Sequence, residues 1–475
     1  MIGILTSARK SSARQTLQAY KAQLQAQGEI LSFADLGYPR VVESNDCLSR
    51  IVAAVGQIKS ARLTPGLIKL MDVTEPTNVQ PAWVRSDLPL ADKTTTNLSW
   101  EIVRQELTAA VAPLAEIRAA LQHPPTRLVS DPTNFSAPPQ YQFVSQRNAA
   151  QWLSAEIIYA LRQQNLELAK ADLQAQLQLV HLHEEDPTLI NQMIRVAIAG
   201  LAVADTWEAL QSPGWGEADL AAWQAGWEQI ILFRNLEIGL LSERSWVAAM
   251  FSYFKNLSAS AQVQHINSGY GAFGASLRKN LEYYWQVFVT TPLWKMNCEA
   301  DELLALRHSQ NSIESVRRLS HGTNWIVVKH ELAGYKATLE KTLDEPYASV
   351  RYSLSAWLIV NMEKAAWTVV RNETMRRLAV VAIALKRYEL QHQQFPPSLD
   401  ALVPDFIAQL PLDPMSGQPL GYRTNQTGYV LYSVGEDGVD DGGDSQPSPG
   451  VIATDIWSGR DVVWPSVTLK RKSAE

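Results

Sequence analysis

Five acidic residues and four glycines fall within the thirteen positions from Tyr432 to Asp444, YSVGEDGVDDGGD. Carboxylates this close repel one another unless a cation or a set of hydrogen-bond donors neutralises them. Calcium takes about six to eight oxygen ligands from carboxylates, carbonyls and water, and glycine lets backbone carbonyls turn inward where a side chain would clash. The stretch therefore presents a choice between a solvated acidic linker and a folded loop closed by an ion. It is not an EF-hand, because no Glu stands where that frame needs its bidentate ligand.

The other reactive residue types offer less. His181-Leu182-His183-Glu184-Glu185-Asp186 gathers two histidines and three acids. On a helix, i and i+2 project to nearly opposite sides, so His181 and His183 could not share an ion, and the run reads as a solvated helix end. Ser320 and His321, with Ser312 and Ser315 nearby, lack the G-x-S-x-G elbow of a hydrolase, and no phosphate-cradling Gly motif follows a strand. Cys47 and Cys298 are the two cysteines and stand in no metal-ligand spacing, so both are expected to be buried thiols. Catalytic residues are therefore not expected.

The chain that must position the acidic loop has 475 residues, a net charge of −6 and 46% apolar side chains. It is long enough for more than one core, and it lacks the basic field that attracts nucleic acid. The longest apolar runs, Val196 to Ala204 and Leu378 to Leu385, fall short of the ~20 residues that cross a bilayer. Apolar residues at helical spacing predict a helix from Ala13 to Gln27, stopped by Gly28, and Leu63 to Asn97 reads as an extended segment. Four further stripes come next: Ala149, Trp152, Leu153 and Ile157; Ala169, Leu173, Leu177 and Val180; Ile190, Ile194, Ala197, Leu201 and Ala204; Leu220, Trp223, Trp227 and Ile230. Breaks at 163–165, 186–187 and 212–214 separate them, and such short connections favour antiparallel neighbours. The succession is similar to tetratricopeptide arrays but keeps no strict period, so an irregular helical array is expected. Helix should continue through about Arg371, with breaks near Gly269-Tyr270-Gly271 and Gly322-Thr323-Asn324.

From about Met375 a helix apolar on all sides should be buried, followed by a short helix from Leu399 to Leu402 capped by Ser398. Strands are expected at Leu420 to Arg423 and Tyr429 to Tyr432, and a last hairpin at Ala453 to Trp464 turning at Ser458-Gly459. The fold class is thus mainly α: an irregular antiparallel helical array followed by a small α+β module with a short antiparallel sheet. Its parts are residues 1–99, an N-terminal helix plus extended segment; 100–373, the helical domain; and 374–475, the module.

Residues Ala384 to Asp444 carry, in order, Tyr388, Phe395-Pro396, Leu399 to Leu402, Leu410-Pro411-Leu412-Asp413-Pro414 and Tyr432-Ser433-Val434-Gly435-Glu436-Asp437-Gly438. This order resembles the globular domain of the major pseudopilins of bacterial type II secretion systems. The resemblance covers about sixty of the 475 residues and lacks the family's leader and long apolar N-terminal helix. It implies a structural calcium held by the Val434 carbonyl, Asp437 and Asp444, with the Ser445 carbonyl and the extra carboxylates Asp440 and Asp441 close by. The chain looks like one of the large bacterial envelope proteins that end in a pseudopilin-like module, and Tyr20 to Gly37 resembles the start of that group. Met1-Ile2-Gly3-Ile4-Leu5 reads as the last turn of an anchor helix, so a membrane anchor upstream of residue 1 is one expectation and a soluble chain the other. The function expected is non-enzymatic: a structural or protein-binding role in the cell envelope, outside the cytoplasm, with a protein partner and no nucleic acid. The alternatives are a cytoplasmic location, and an enzyme or small-ligand-binding protein with a pocket in the helical domain.

Overall fold

Side-chain periodicity and short connections give stacked helices, and a computed structural model shows their arrangement. It describes residues 2–37, 46–58, 63–65, 83–85, 94–95, 100–127, 142–268, 286–359, 362–425, 428–447 and 456–464. The helices are α1 (Ile2–Ala26), α2 (Cys47–Gln57), α3 (Trp100–Ala120), α4 (Phe143–Arg162), α5 (Leu166–His181), α6 (Leu189–Gln211), α7 (Glu217–Gln229), α8 (Leu232–Asn256) and α9 (Ala259–Ser268). After them come α10 (Thr291–Ser320), entered through a π-turn at Gln286–Thr290, then α11 (Trp325–Leu343), α12 (Ala348–Arg351), α13 (Ser353–Leu358) and α14 (Met362–His392). Two small antiparallel sheets, each in sequential order, are formed by β1 (Leu63–Pro65), β2 (Trp83–Arg85) and β3 (Thr94–Thr95), and by β4 (Gly421–Asn425), β5 (Gly428–Ser433) and β6 (Val462–Trp464).

All four expected stripes lie on helices, except that Ile230 stands just past the end of α7, and α4, α5 and α6 pack on one another as short connections require. Asn165 caps α5 by accepting from the Leu168 amide, and Gly28, at φ +77°, ends α1. That first helix begins at Ile2 rather than at Ala13. The third stripe is corrected: Ile190 is 54% exposed and Ala197 is exposed as well. Helix α6 is buried on most of its circumference, so the apolar period does not pick out one inward face. By length and composition α6 could cross a membrane, but most of its apolar window is buried within the fold. Cys47 and Cys298 are buried and not joined in a disulfide, and burial pushes both thiols up to about 11. Trp223 and Trp227 lie in the core. The Gly269-Tyr270-Gly271 break lies outside the described residues, and Gly322 makes the next one at φ +89°.

The run around His181 is not a solvated helix end. Helix α5 stops at His181, His183 adopts φ +57°, and both His183 and Asp186 are buried. Asn191 Nδ2 donates to the His183 carbonyl at 2.8 Å, and Gln192 Nε2 to the Asp186 carbonyl at 2.5 Å. Burial beside Arg195 lowers the His183 pKa to about 4, so the imidazole is neutral at physiological pH. The turn, rather than helical spacing, keeps the two histidines from a common ligand.

The boundary read at residue 374 falls inside α14, which is continuous from Met362 to His392. One buried cluster joins Leu153, Val203 and Trp227 of the helices to Leu402, Met415, Leu431 and Trp464 of the C-terminal segment. The short helix at Leu399–Leu402 is a 3-10 turn, and the Ser398 side chain makes no cap hydrogen bond. Of the expected last hairpin, the described residues form a 3-10 turn at Ile456–Ser458 and a strand, β6, paired with β5 through Leu431 to Trp464 and Ser433 to Val462. Residues 453–455 of that hairpin lie outside the described residues.

Buried acids occupy the helical core. Asp205 on α6 accepts from Ser154 Oγ at 2.8 Å and Gln176 Nε2 at 2.7 Å, and burial raises its pKa to about 7. The folded chain therefore keeps a proton that the unfolded chain has released, and Asp205 costs stability as pH rises from about 4 to about 7. Asp205→Asn should gain stability relative to wild type when urea unfolding is measured at about pH 8 instead of about pH 5. A variant that parallels wild type at both values would contradict this assignment.

Candidate functional site: the acidic glycine-rich loop

Strand β5 delivers the chain into the acidic stretch, and two buried carboxylates fix the path of the loop beyond it. The first is Asp413 of the Leu-Pro-Leu-Asp-Pro turn. Its carboxylate accepts from the Met415 amide at 2.9 Å, Ser433 Oγ at 2.8 Å and the Val434 amide at 3.0 Å, which ties the turn to the end of β5. Burial raises the Asp413 pKa, and the three donors oppose that rise. The same turn is docked on the helices, with the Trp325 amide donating to the Pro414 carbonyl at 2.9 Å and Arg377 to the Leu412 carbonyl at 2.6 Å.

The second carboxylate is Asp461, at the start of β6. It accepts from the Gly443 amide at 2.6 Å, the Asp444 amide at 3.1 Å and, more loosely, the Asp441 amide at 3.4 Å. Its own amide donates to the Asp444 carbonyl at 2.9 Å, and the Arg460 amide to the Gln446 carbonyl at 3.0 Å. Gly442 and Gly443 stand at φ +69° and +82°, a left-handed pair that turns successive amides toward one anion. The acidic loop thus wraps around a carboxylate from outside itself.

Its own acids point elsewhere. Glu436 accepts from Trp367 Nε1 and Arg371 Nε, both at 2.6 Å, and the Arg371 guanidinium lies 3.5 Å from the Trp367 ring centroid. That half-buried cluster fastens the loop to α14. Asp444 pairs with Arg460 at 2.9 Å and accepts from the Gln446 amide at 3.0 Å. Asp440 accepts from Tyr432 Oη at 2.9 Å and the Gly442 amide at 2.8 Å, and Asp437 from the Val439 amide at 3.0 Å. Asp437, Asp440 and Asp441 are exposed on the outer rim.

The six positions expected to serve calcium therefore stand in one folded loop, Val434 and Ser445 at its two ends and Asp437, Asp440, Asp441 and Asp444 between them. Among the described residues, no three His, Cys, Asp or Glu side chains converge as a metal-binding group. The donors fit calcium in kind, since they are carboxylate and carbonyl oxygens. They do not form a preassembled carboxylate cage, so an ion here would draw on carbonyls and water as well. Asp461, Trp367 and Arg371 are parts of this site that motif and spacing do not single out, and the anchoring contacts of the motif residues Asp413 and Glu436 are not legible from the motif either. Each lies far from its partners in sequence, and only the register of β6 on β5 brings Asp461 to the loop.

Ser312 donates to a carbonyl of its own helix and Ser315 to Glu331, so neither bonds His321. No protein-family model, no curated protein and no solved structure matches the chain.

Replacing Asp461 by Ala leaves three amides without their acceptor. The protein should lose about 2 kcal/mol or more of stability, and limited proteolysis should cut between residues 435 and 446, where wild type resists. A loop equally resistant in Asp461→Ala would show that the carboxylate does not hold it.

Proposed function

We propose that this chain is a non-enzymatic protein of the bacterial cell envelope. Its helical array offers a binding surface to a protein partner, and its C-terminal segment is a pseudopilin-like docking module whose loop takes a structural calcium ion. The observation that carries this reading is the division of labour in the loop. Three of its amides are committed inward to Asp461 and Glu436 is committed to α14, whereas Asp437, Asp440 and Asp441 are each exposed at the loop surface. Such a rim lowers its self-repulsion by taking a divalent cation. The order of long helix, 3-10 turn, Leu-Pro-Leu-Asp-Pro turn, antiparallel sheet and acidic loop supports the pseudopilin-like reading of residues 384–444.

Because the rim lacks a full carboxylate cage, the affinity belongs to the weak extracellular class, about 10⁻⁴ to 10⁻³ M. Such a site fills outside the cytoplasm and stays largely empty within it, which links the ion to an envelope location. Calorimetric titration of the whole chain with Ca²⁺ should show binding in that range, weakened at least about tenfold in Asp437→Ala. A flat titration at several millimolar, or binding unchanged in the variant, would overturn the calcium assignment. Recovery of the native protein in the cytosolic fraction of its host would overturn the envelope location.

A further inference from the structure

A cavity of about 400 Å³ opens where the C-terminal ends of α4 and α6 meet the start of α3, lined among others by Trp100, Ile158, Leu161, Arg162, Glu208 and Ser212. Its volume is within the range of small-molecule sites, about 300 to 1,000 Å³. One of its polar residues, which also include Arg162, Gln163, Gln164 and Ser212, is unusual: Glu208 is only 4% exposed, and its Oε1 has no hydrogen-bond partner among the described residues. A buried carboxyl without a donor is costly whether it stays ionised or takes a proton.

The surrounding charges leave that cost uncompensated. Asp205, one turn back on α6, accepts from Ser154 and Gln176 and adds to the negative potential at Glu208. Burial and this neighbour raise the Glu208 pKa to about 8. Arg118, the cation within the α3–α4–α5 packing, is already bonded to Glu156 and Asp172. At the mouth, the exposed Arg162 stacks 4.6 Å from the Trp100 ring centroid and forms no ion pair with Glu208 among the described residues. The pocket thus combines an apolar wall, formed by Ile158 and Leu161 and edged by the Trp100 indole, with a carboxyl that lacks a cation.

We propose that this cavity binds a small organic amine, its ammonium group held by Glu208 and its hydrocarbon body laid against Ile158, Leu161 and Trp100. A protonated amine supplies the donor that Oε1 lacks and the charge that the two acids of α6 lack. It also matches the apolar wall, which a bare metal ion would not use. The cavity shares no residue with the acidic loop, so its behaviour bears independently on the helical domain.

The test compares hexylamine with hexan-1-ol, which has the same chain but no charge, by calorimetry on the whole protein. Hexylamine should bind at least about tenfold more tightly than the alcohol. In Glu208→Gln, which keeps the side chain's volume, that preference should vanish while the circular dichroism spectrum stays helical. Failure of hexylamine to bind at about 10 mM, equal affinity of the two probes for wild type, or a preference retained in Glu208→Gln would each overturn the proposal. The wild-type comparison decides even if the variant does not fold.

Discussion

Every side of α14 from Leu378 to Leu385 is buried, and this constraint organises the molecule. A helix apolar all round cannot lie on a surface and must be covered by several elements. Here α6, α7, α8 and α11 cover it from the helical array, and β5 and the Leu399–Leu402 turn cover it from the C-terminal segment. A three-stranded sheet this small has little independent stability, and it gains a hydrophobic face by sharing this helix. The continuous buried cluster is the direct result.

Polar groups then fix what apolar burial leaves free. Hydrophobic contact is non-directional and would tolerate several poses of a loop rich in glycine. Asp413 and Asp461 remove that freedom by each accepting hydrogen bonds from points distant in sequence. Glu436 completes the attachment through Trp367 and Arg371. Acids supplied by the neighbouring turn and strand hold the loop's backbone at Val434, Asp441, Gly443 and Asp444, while the side chains of Asp437, Asp440 and Asp441 stay exposed.

Local pattern conveyed much of this and tertiary contact the remainder. The helices at Ala149, Ala169 and Leu220 were legible because apolar period and capping residues act within a few positions, as Asn165 does for α5. The loop's glycines announced a tight fold, and four of them have positive φ. The buried turn at His183 was not legible, since its partners Asn191 and Gln192 belong to the next helix. Nor was Asp461, an isolated acid whose role depends on strand register. Ile190 misled because α6 buries polar side chains such as Asn191, Gln192 and Arg195 beside apolar ones, which blurs its period.

The central claim is that sheet, loop and helices form one cooperative unit around α14. Native-state hydrogen exchange in increasing urea tests it most directly, by comparing the amides of Leu431 and Ser433 in β5 with those of Ala199 and Val203 in α6. The account predicts that both sets converge on one opening free energy with one urea dependence, as a single cooperative unit requires. Exchange of the β5 amides through a separate opening of much lower free energy, with α6 still protected, would contradict it.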